Sequence, residues 1–465
     1  MFRPFFRRRR TWLVFTGLGL FLGLVFLLPM GWPSHAGEGL EAGKVCLGLG
    51  IFALVAFLWL TEALPLAATA LLVPVLASGS GLLSVPSALA SFAHPLIFLF
   101  LGGFALAAAL AYQGLDRWIA NRLIRLGGGQ FLWAALWLFG ATAGLSMWMS
   151  NTATTAMMIP LVLGVLRRLE AEAPGQPTSS QGLFLLLGVA YAASIGGLGT
   201  IVGSPPNGVA AEKLGLGFLE WMAIGLPAVG LLLPVMVGVL FCLLRPKTEV
   251  SLAMEEAPFR LNWHRWVTLL LFAVTALSWV FSQQIAGWLG IAKGVDTVIA
   301  LMAVVALLYF RVVRWRDIDR ATDWGVLLLF GGGLALSSVL KESGASLFLA
   351  RVFVEGVQGW PLFLLVGAVV AFVIFLTELS SNTATAALLV PIFYTVALEL
   401  ELAGGVFVVP LALAASCAFM LPVATPPNAI VFGTGRVPQR QMMRVGLVLN
   451  LVSIAILTGW STLHA

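Results

Sequence analysis

Charged residues are scarce in this chain of 465 residues: 10% are Asp, Glu, Lys or Arg, whereas 60% are hydrophobic. A mean hydropathy of +1.01 lies far outside the range of a soluble globular domain. The three cysteines and four histidines are widely scattered, so neither set has the spacing of a disulfide framework or a metal site. The net charge of +6 comes from short basic clusters without a continuous basic face, so no nucleic-acid partner is expected.

Long apolar runs are abundant instead, from Thr11 to the C-terminus, and many can cross the roughly 30 Å hydrocarbon layer of a lipid bilayer. Runs of this length fit helices rather than barrel strands. The first run, 12–32, is longer than the apolar region of a signal peptide, which favours an uncleaved first span over cleavage after residues 34–36. The sequence therefore predicts an all-α polytopic membrane protein.

Eleven transmembrane spans and two amphipathic stretches can be traced along the chain. The spans are 11–32, 45–61, 64–80, 92–111, 183–212, 218–244, 264–283, 294–311, 323–340, 404–432 and 442–461, and the amphipathic stretches are 114–126 and 341–356. Two further apolar segments, 130–168 and 360–398, each carry a polar motif at their centre. Arginines flank the first of them on both sides, which predicts a re-entrant hairpin that enters and leaves on the cytoplasmic side.

The basic residues also predict the orientation of the chain. With the N-terminus in the cytoplasm, all but five of the 26 Lys and Arg fall on the inside, as the positive-inside rule requires. The five on the outside are Lys44, Lys213, Lys293, Lys341 and Arg351. We therefore expect a cytoplasmic N-terminus and a C-terminus on the periplasmic or extracellular side of a bacterial inner membrane.

The two halves of the chain repeat each other. An offset of 230 positions places 101–120 on 331–350 without a gap and matches seven identical residues. The first of these segments should run inward and the second outward, so we expect an inverted repeat. The predicted division is a first span with a cytoplasmic arm at 1–44, repeats at 45–244 and 264–465, and a cytoplasmic linker at 245–263. The glycine clusters at 102–103 and 331–333 are interpreted as packing contacts, because they lack polar neighbours.

Two polar motifs are duplicated deep in the apolar sequence. Ser-Asn-Thr-Ala-Thr occurs at 150–154 and again at 381–385, whereas Gly-Ser-Pro-Pro-Asn at 203–207 is matched by Ala-Thr-Pro-Pro-Asn at 424–428. Single Ser, Thr or Asn residues in membrane helices often only join helices, but duplication of both motifs favours a binding site. Interrupted hydrophobic segments at matching places in two halves are typical of secondary transporters.

Each motif has a chemical use. A Pro-Pro pair removes backbone donors, so Ser204 and Thr425 should lie in unwound backbone whose free carbonyls suit Na⁺. Helices that start after each motif would direct unpaired N–H groups and positive dipole ends at the centre, which favours an anion. Of the acidic residues, Glu62 is expected near the membrane interface, and Glu378 is a candidate for proton coupling because it lies close to the second Ser-Asn-Thr motif.

At these motifs, and at Thr-Glu-Ala-Leu-Pro-Leu in 61–66, the chain resembles the divalent anion/sodium symporter family. The resemblance covers nearly the whole chain and implies a homodimer in which each protomer has a scaffold domain and a transport domain, both drawn from the two repeats, and works by an elevator mechanism. The substrate contacts it implies are Ser150, Asn151, Thr152, Ser204, Pro205, Ser381, Asn382, Thr383, Thr425 and Pro426. It implies one sodium site at Ser146, Ser150, Asn151 and Gly203, and a mirror site at Thr377, Ser381, Asn382 and Ala424.

We therefore expect a sodium-coupled symporter of divalent anions, most of all C4-dicarboxylates such as succinate, malate or fumarate, with no cofactor besides Na⁺ as coupling ion. The alternatives on the same fold are a cation-independent dicarboxylate exchanger and a carrier of sulfate or tricarboxylates. A membrane enzyme would need a nucleophile with its base, or a metal cluster, at membrane depth, and the sequence offers neither. An ion channel would need a continuous polar path in place of two occluding hairpins.

Overall fold

The computed structural model describes residues 3–27, 39–128, 130–172, 179–246, 261–290 and 294–463, and its elements there are helices. In the first half they are α1 (Arg3–Leu27), α2 (Ala42–Thr61), α3 (Leu66–Gly79), α4 (Val85–Ala90), α5 (Pro95–Tyr112), α6 (Leu115–Arg125), α7 (Phe131–Ser146), α8 (Asn151–Glu172), α9 (Ser179–Gly196), α10 (Pro205–Leu214) and α11 (Phe218–Leu244). In the second half they are α12 (Trp263–Val280), α13 (Ser282–Leu289), α14 (Val295–Tyr309), α15 (Trp315–Ala321), α16 (Trp324–Glu342), α17 (Ala345–Gly356), α18 (Leu362–Thr377), α19 (Asn382–Glu399), α20 (Gly405–Ala415), α21 (Pro426–Gly433) and α22 (Gln439–Leu463).

The apolar runs form helices as predicted, which confirms the all-α membrane fold. Within the described residues, eight helices are long and apolar enough to cross a membrane, and six shorter apolar helices accompany them. The trace lacks the short helices α4, α13 and α15, since elements of six to eight residues leave no long apolar run. Most of the predicted linker, 247–260, as well as Lys293 and residues 34–36, lies outside the described residues.

Helix packing follows the sequence repeat. The order of elements from α5 to α11 is matched by the order from α16 to α22. Contacts are exchanged between the halves, since α5 packs against α14 while α16, the counterpart of α5, packs against α3. Likewise α10 packs against α19 and α21 packs against α8. Reciprocal contacts of this kind are what two related halves around an approximate two-fold axis would make, whereas the inversion of the repeat and its domain boundaries stay predictions.

Two glycines show these reciprocal contacts between the halves at atomic scale. A Cβ added at Gly102 would lie 2.5 Å from the Cβ of Ala300, and one added at Gly332 would lie 2.6 Å from the Cα of Ala70. Both residues of the second pair are related to those of the first by the same 230 positions. These glycines allow close helix crossings, so their interpretation as packing residues is confirmed.

Candidate functional site

The two Ser-Asn-Thr motifs lie at turns between consecutive helices. The first turn, residues 147–150, joins α7 to α8, and the second turn, residues 378–381, joins α18 to α19. The hydroxyl oxygens of Ser150 and Ser381 accept hydrogen bonds from the backbone N–H three residues ahead, at 3.2 and 3.5 Å. Each serine therefore caps the helix that follows it, and each helix presents its N-terminus at the motif.

The two Pro-Pro motifs begin new helices, as predicted. The first break, residues 200–204, precedes α10, and the second break, residues 416–425, precedes α21. Ser204 and Thr425 both have extended backbone, with φ near −145° and −140°. Each is followed by proline at the first helical position, where proline is favourable because no backbone donor is lost.

The asparagines of the Pro-Pro-Asn motifs stabilise the breaks. The side-chain nitrogen of Asn207 donates to the carbonyls of Gly197 and Thr200 at 2.8 and 2.7 Å. In the second half Asn428 donates to the carbonyls of residues 418 and 421, at 3.1 and 3.0 Å, which are the same positions shifted by 221. Both asparagines are fully buried, and their side-chain nitrogens hold the unwound backbone in place.

The turns and breaks surround a central cavity of about 730 Å³. It is lined by all ten residues for which the resemblance implies substrate contacts: Ser150, Asn151, Thr152, Ser204, Pro205, Ser381, Asn382, Thr383, Thr425 and Pro426. The motifs place the N-termini of α8, α10, α19 and α21 at this cavity. All four direct the positive ends of their dipoles toward it, and α8 and α19, which do not begin with proline, add the backbone N–H groups of their first turns. Both features make the cavity attractive to anions despite its apolar surroundings.

The first of the two sodium sites implied by the resemblance lies at one corner of this cavity, centred on Asn151. One terminal atom of the Asn151 amide lies 2.7 Å from Ser146 Oγ, 3.1 Å from the Ala193 carbonyl oxygen and 3.3 Å from that of Gly203. If that atom is nitrogen, the amide donates to these oxygens. If it is oxygen, it forms a cluster with three other hard oxygen atoms, a ligand type that suits Na⁺.

A second corner repeats this arrangement around Asn382. The Thr377 hydroxyl lies 2.6 Å from the side-chain oxygen of Asn382 and 3.0 Å from the carbonyl oxygen of Ala415. Ala424, the counterpart of Gly203, lines the cavity beside it. Ser146 and Thr377 do not line the cavity but are buried behind the asparagines.

Two members of the corners were not predicted from the sequence, namely the backbone carbonyls of Ala193 and Ala415. They accept hydrogen bonds from the hydroxyls of Ser146 and Thr377 and lie near the ends of α9 and α20, just before the breaks. A backbone carbonyl has no side-chain signature. Their position within the last turn of a helix, where carbonyls lose their partners, was the available signal.

The charged side chains that line the cavity, within the described residues, are Glu62 and Asp323. Both are exposed, and Glu62 lies between α2 and α3 as expected for an interfacial residue. Lys and Arg are absent from the described lining. Positive charge for a bound anion must therefore come from helix N-termini or from cations that bind with it.

The cavity is open at one end and closed at the other. The exposed side chains of Glu62, Asp323 and Val423 form its open rim. At the other end α10, α16 and α19 meet in a narrow seam, which leaves only about 10 Å³ of free space. Its lining is mainly apolar, with Val209 and Phe330 among others, but it includes Glu212 and Lys213. That space holds one water molecule at most.

Beyond the seam lies an outer cavity of about 800 Å³. Its lining includes three of the five basic residues predicted on the outside, Lys44, Lys213 and Lys341. Polar contacts cross the seam here, since Lys213 lies 3.4 Å from Ser337 Oγ on α16. The central and outer cavities thus lie at opposite ends of one helix interface.

Comparison with known proteins gives consistent results. A family model described as a citrate transporter matches residues 56–406. A protein of Haemophilus influenzae described as an uncharacterized transporter is 49% identical over 421 residues, which cover 89% of this chain and 90% of the relative. The sodium-dependent dicarboxylate transporter SdcS of Staphylococcus saprophyticus is 34% identical over 444 residues, which cover 88% of this chain and 85% of the relative.

A solved structure shares the fold. The YdaH transporter of Alcanivorax borkumensis, whose crystal structure was described as having an unusual topology, superposes with a TM-score of 0.57 over 80% of this chain and 86% of that chain. At 16% sequence identity the likeness concerns the arrangement of helices alone.

Proposed function

The chain belongs to the citrate transporter family, and we propose that it imports C4-dicarboxylates such as succinate, malate or fumarate by sodium-coupled symport. It is a multi-pass membrane transporter and not an enzyme. One observation carries the proposal: four helix N-termini and two oxygen-lined corners converge on a cavity whose described lining has no basic side chain. The similarity to a sodium-dependent dicarboxylate transporter supports the same substrate and coupling.

The coupling follows from charge. A dianion held by neutral hydroxyls, amides and helix N-termini retains excess negative charge, which Na⁺ ions at the two corners would offset. Substrate and sodium would then bind cooperatively, each raising the affinity for the other. Each net positive charge moved inward gains about 2.3 kcal/mol per 100 mV of membrane potential, so accumulation needs more cation charge than substrate charge.

The closed seam supports alternating access. In our proposal the helices around the motifs, α7–α11 and α18–α22, form the transport domain, and the helices across the seam, including α2, α3, α5, α14 and α16, form the scaffold. Movement of the first group along the seam would transfer the binding site from the central cavity toward the outer cavity, in an elevator-type displacement. Two re-entrant hairpins, a homodimer and an inner-membrane location with a cytoplasmic N-terminus complete the proposal.

A tricarboxylate is the second candidate substrate. The family description names citrate, and a cavity of about 730 Å³ has room for a third carboxylate. A cation-independent exchanger of dicarboxylates would use the same cavity, but it would leave the converging oxygens of the two corners without a cation to bind.

A thermal-shift screen of the purified protein tests substrate and coupling together. Succinate, citrate, 2-oxoglutarate and sulfate are compared in Na⁺ and in choline. We expect succinate to raise the melting temperature in Na⁺ and to lose this effect in choline, because a ligand stabilises only the state that binds it. Equal stabilisation in choline would favour the exchanger, and uptake into proteoliposomes with and without a sodium gradient would decide the matter.

A further inference from the structure

A buried carboxylate follows the hydroxyl residue of the second corner in the chain, and the first corner has no carboxylate at the equivalent position. Glu378 follows Thr377 directly and is only 3% exposed. The offset of 231 that superposes the Ser-Asn-Thr motifs places Met147 at the equivalent position. The two halves therefore differ by one ionisable group immediately next to a predicted sodium ligand.

The carboxylate joins three parts of the second half. One of its oxygens accepts hydrogen bonds from the backbone N–H of Met420 and the side-chain nitrogen of Asn450, both at 2.8 Å. The other accepts from the N–H of Leu421 at 2.9 Å. Glu378 thus holds the second break, which carries Ala424, against the turn after α18 and against Asn450 on α22.

In the first half, the break and the turn after α7 are also joined by hydrogen bonds, but without a charged group. There the Thr200 hydroxyl in the first break donates to the carbonyl of Met147 and accepts from the N–H of Gly203 at 3.0 Å. The residue equivalent to Thr200 is Leu421, which has no hydroxyl. A neutral hydroxyl in one half and a carboxylate in the other therefore perform the same structural task.

The carboxylate lacks a cationic partner among the described residues, since none of their ion pairs involves Glu378. Its three partners are neutral donors, which suit a carboxylate but compensate a buried charge only in part. A cation bound at the adjacent corner would complete that compensation. We propose that Glu378 is a positioning residue whose carboxylate fixes the second break and makes the second corner bind Na⁺ more tightly than the first corner does. This inference rests on the sodium coupling proposed above.

Two substitutions separate charge from structure. Glu378→Gln keeps the size but removes the charge, and we expect the Na⁺ concentration for half-maximal thermal stabilisation, measured without substrate, to rise about 5- to 10-fold. Asn450→Leu keeps the charge and removes one compensating donor, so Na⁺ should bind as tightly as in the wild type or more tightly. A purely structural role would weaken Na⁺ binding in both variants.

Glu355→Gln on α17 provides the matched control, because it makes the same chemical change at an exposed position outside the central cavity. It should shift the half-maximal Na⁺ concentration by less than about twofold, since an exposed charge contributes little. Wild-type Na⁺ dependence in Glu378→Gln would overturn the role of Glu378 alone. Weakened Na⁺ binding in Asn450→Leu would do the same, and this second measurement still decides the matter if Glu378→Gln does not fold. Absence of any Na⁺ stabilisation in the wild type would overturn the sodium coupling itself.

Discussion

The two halves of the central cavity share a backbone plan and differ in the side chains that complete it. Each half contributes a capped turn, a break held by an asparagine, and a corner where an asparagine meets a hydroxyl and a carbonyl. The hydroxyl is Ser146 in one half and Thr377 in the other. The break is tied by Thr200 in the first half and by Glu378 in the second.

The residue that precedes each of the helices α10 and α21 differs as well. Ser204 Oγ lies 2.9 Å from Ser416 Oγ, so it reaches across to the second break. Thr425 instead accepts a hydrogen bond from the N–H of Asn428 at 3.3 Å and caps its own helix. The two halves therefore share helix ends and carbonyl positions, whereas the charge and volume of their side chains differ and make the half-sites unequal.

The largest effect is expected from the asparagines on which both half-sites are centred. Asn151→Ala and Asn382→Ala should each reduce sodium-driven uptake into proteoliposomes by about two orders of magnitude, because in the proposed mechanism each amide contacts both the anion and a cation. If the halves are unequal as proposed, only Asn382→Ala should also abolish the tighter phase of Na⁺ binding.

Asn121→Ala on the amphipathic helix α6 is the control, since it makes the same chemical change away from the cavity. It should leave uptake unchanged. All three variants should express and fold as the wild type does, as judged by size-exclusion chromatography. Wild-type uptake by either cavity variant would remove that asparagine from the site.

The main features of the site could be predicted because they depend on local sequence. Duplicated polar motifs in apolar surroundings and Pro-Pro pairs mark the turns and breaks wherever they occur. The unwound conformation of Ser204 and Thr425 follows from the prolines alone. The cavity lining followed from the resemblance, carried over position by position.

The hydrogen bonds that join separate helices and breaks could not be predicted from local sequence. The partners of Glu378 lie 42, 43 and 72 residues further along the chain, so only the folded packing brings them together. Leu421 is one apolar residue among many, and nothing local signals that it replaces a hydroxyl. The carbonyls of Ala193 and Ala415 belong to residues whose side chains have no polar atoms.

A smaller effect, on stability, tests whether the halves are equivalent in their packing. Gly102→Ala and Gly332→Ala should each cost about 1–3 kcal/mol, because the added methyl group would overlap the facing helix at 2.5 to 2.6 Å. The resulting loss of thermal stability should be similar in the two variants, since the two contacts are related by the repeat.

Gly140→Ala on α7 is the matched control, because a Cβ at that position meets nothing within 4 Å. Its melting temperature should equal or slightly exceed that of the wild type, as alanine favours helix more than glycine does. A large loss in only one of the two contact variants would argue against the exchanged packing of α5 and α16.

The smallest expected effect concerns substrate size at the first break. Ser204→Thr would add the methyl group that Thr425 already has, and Thr425→Ser would remove it from the second half. One methyl group in a binding pocket changes the ratio of the affinities for two substrates by about 10-fold. We expect Ser204→Thr to weaken inhibition of succinate uptake by citrate more than it weakens succinate binding, because the cavity becomes narrower. Thr425→Ser should shift the ratio of the affinities for citrate and succinate in the opposite direction. A shift in the same direction in both variants would show that hydroxyl geometry, rather than pocket volume, sets the preference between the two substrates.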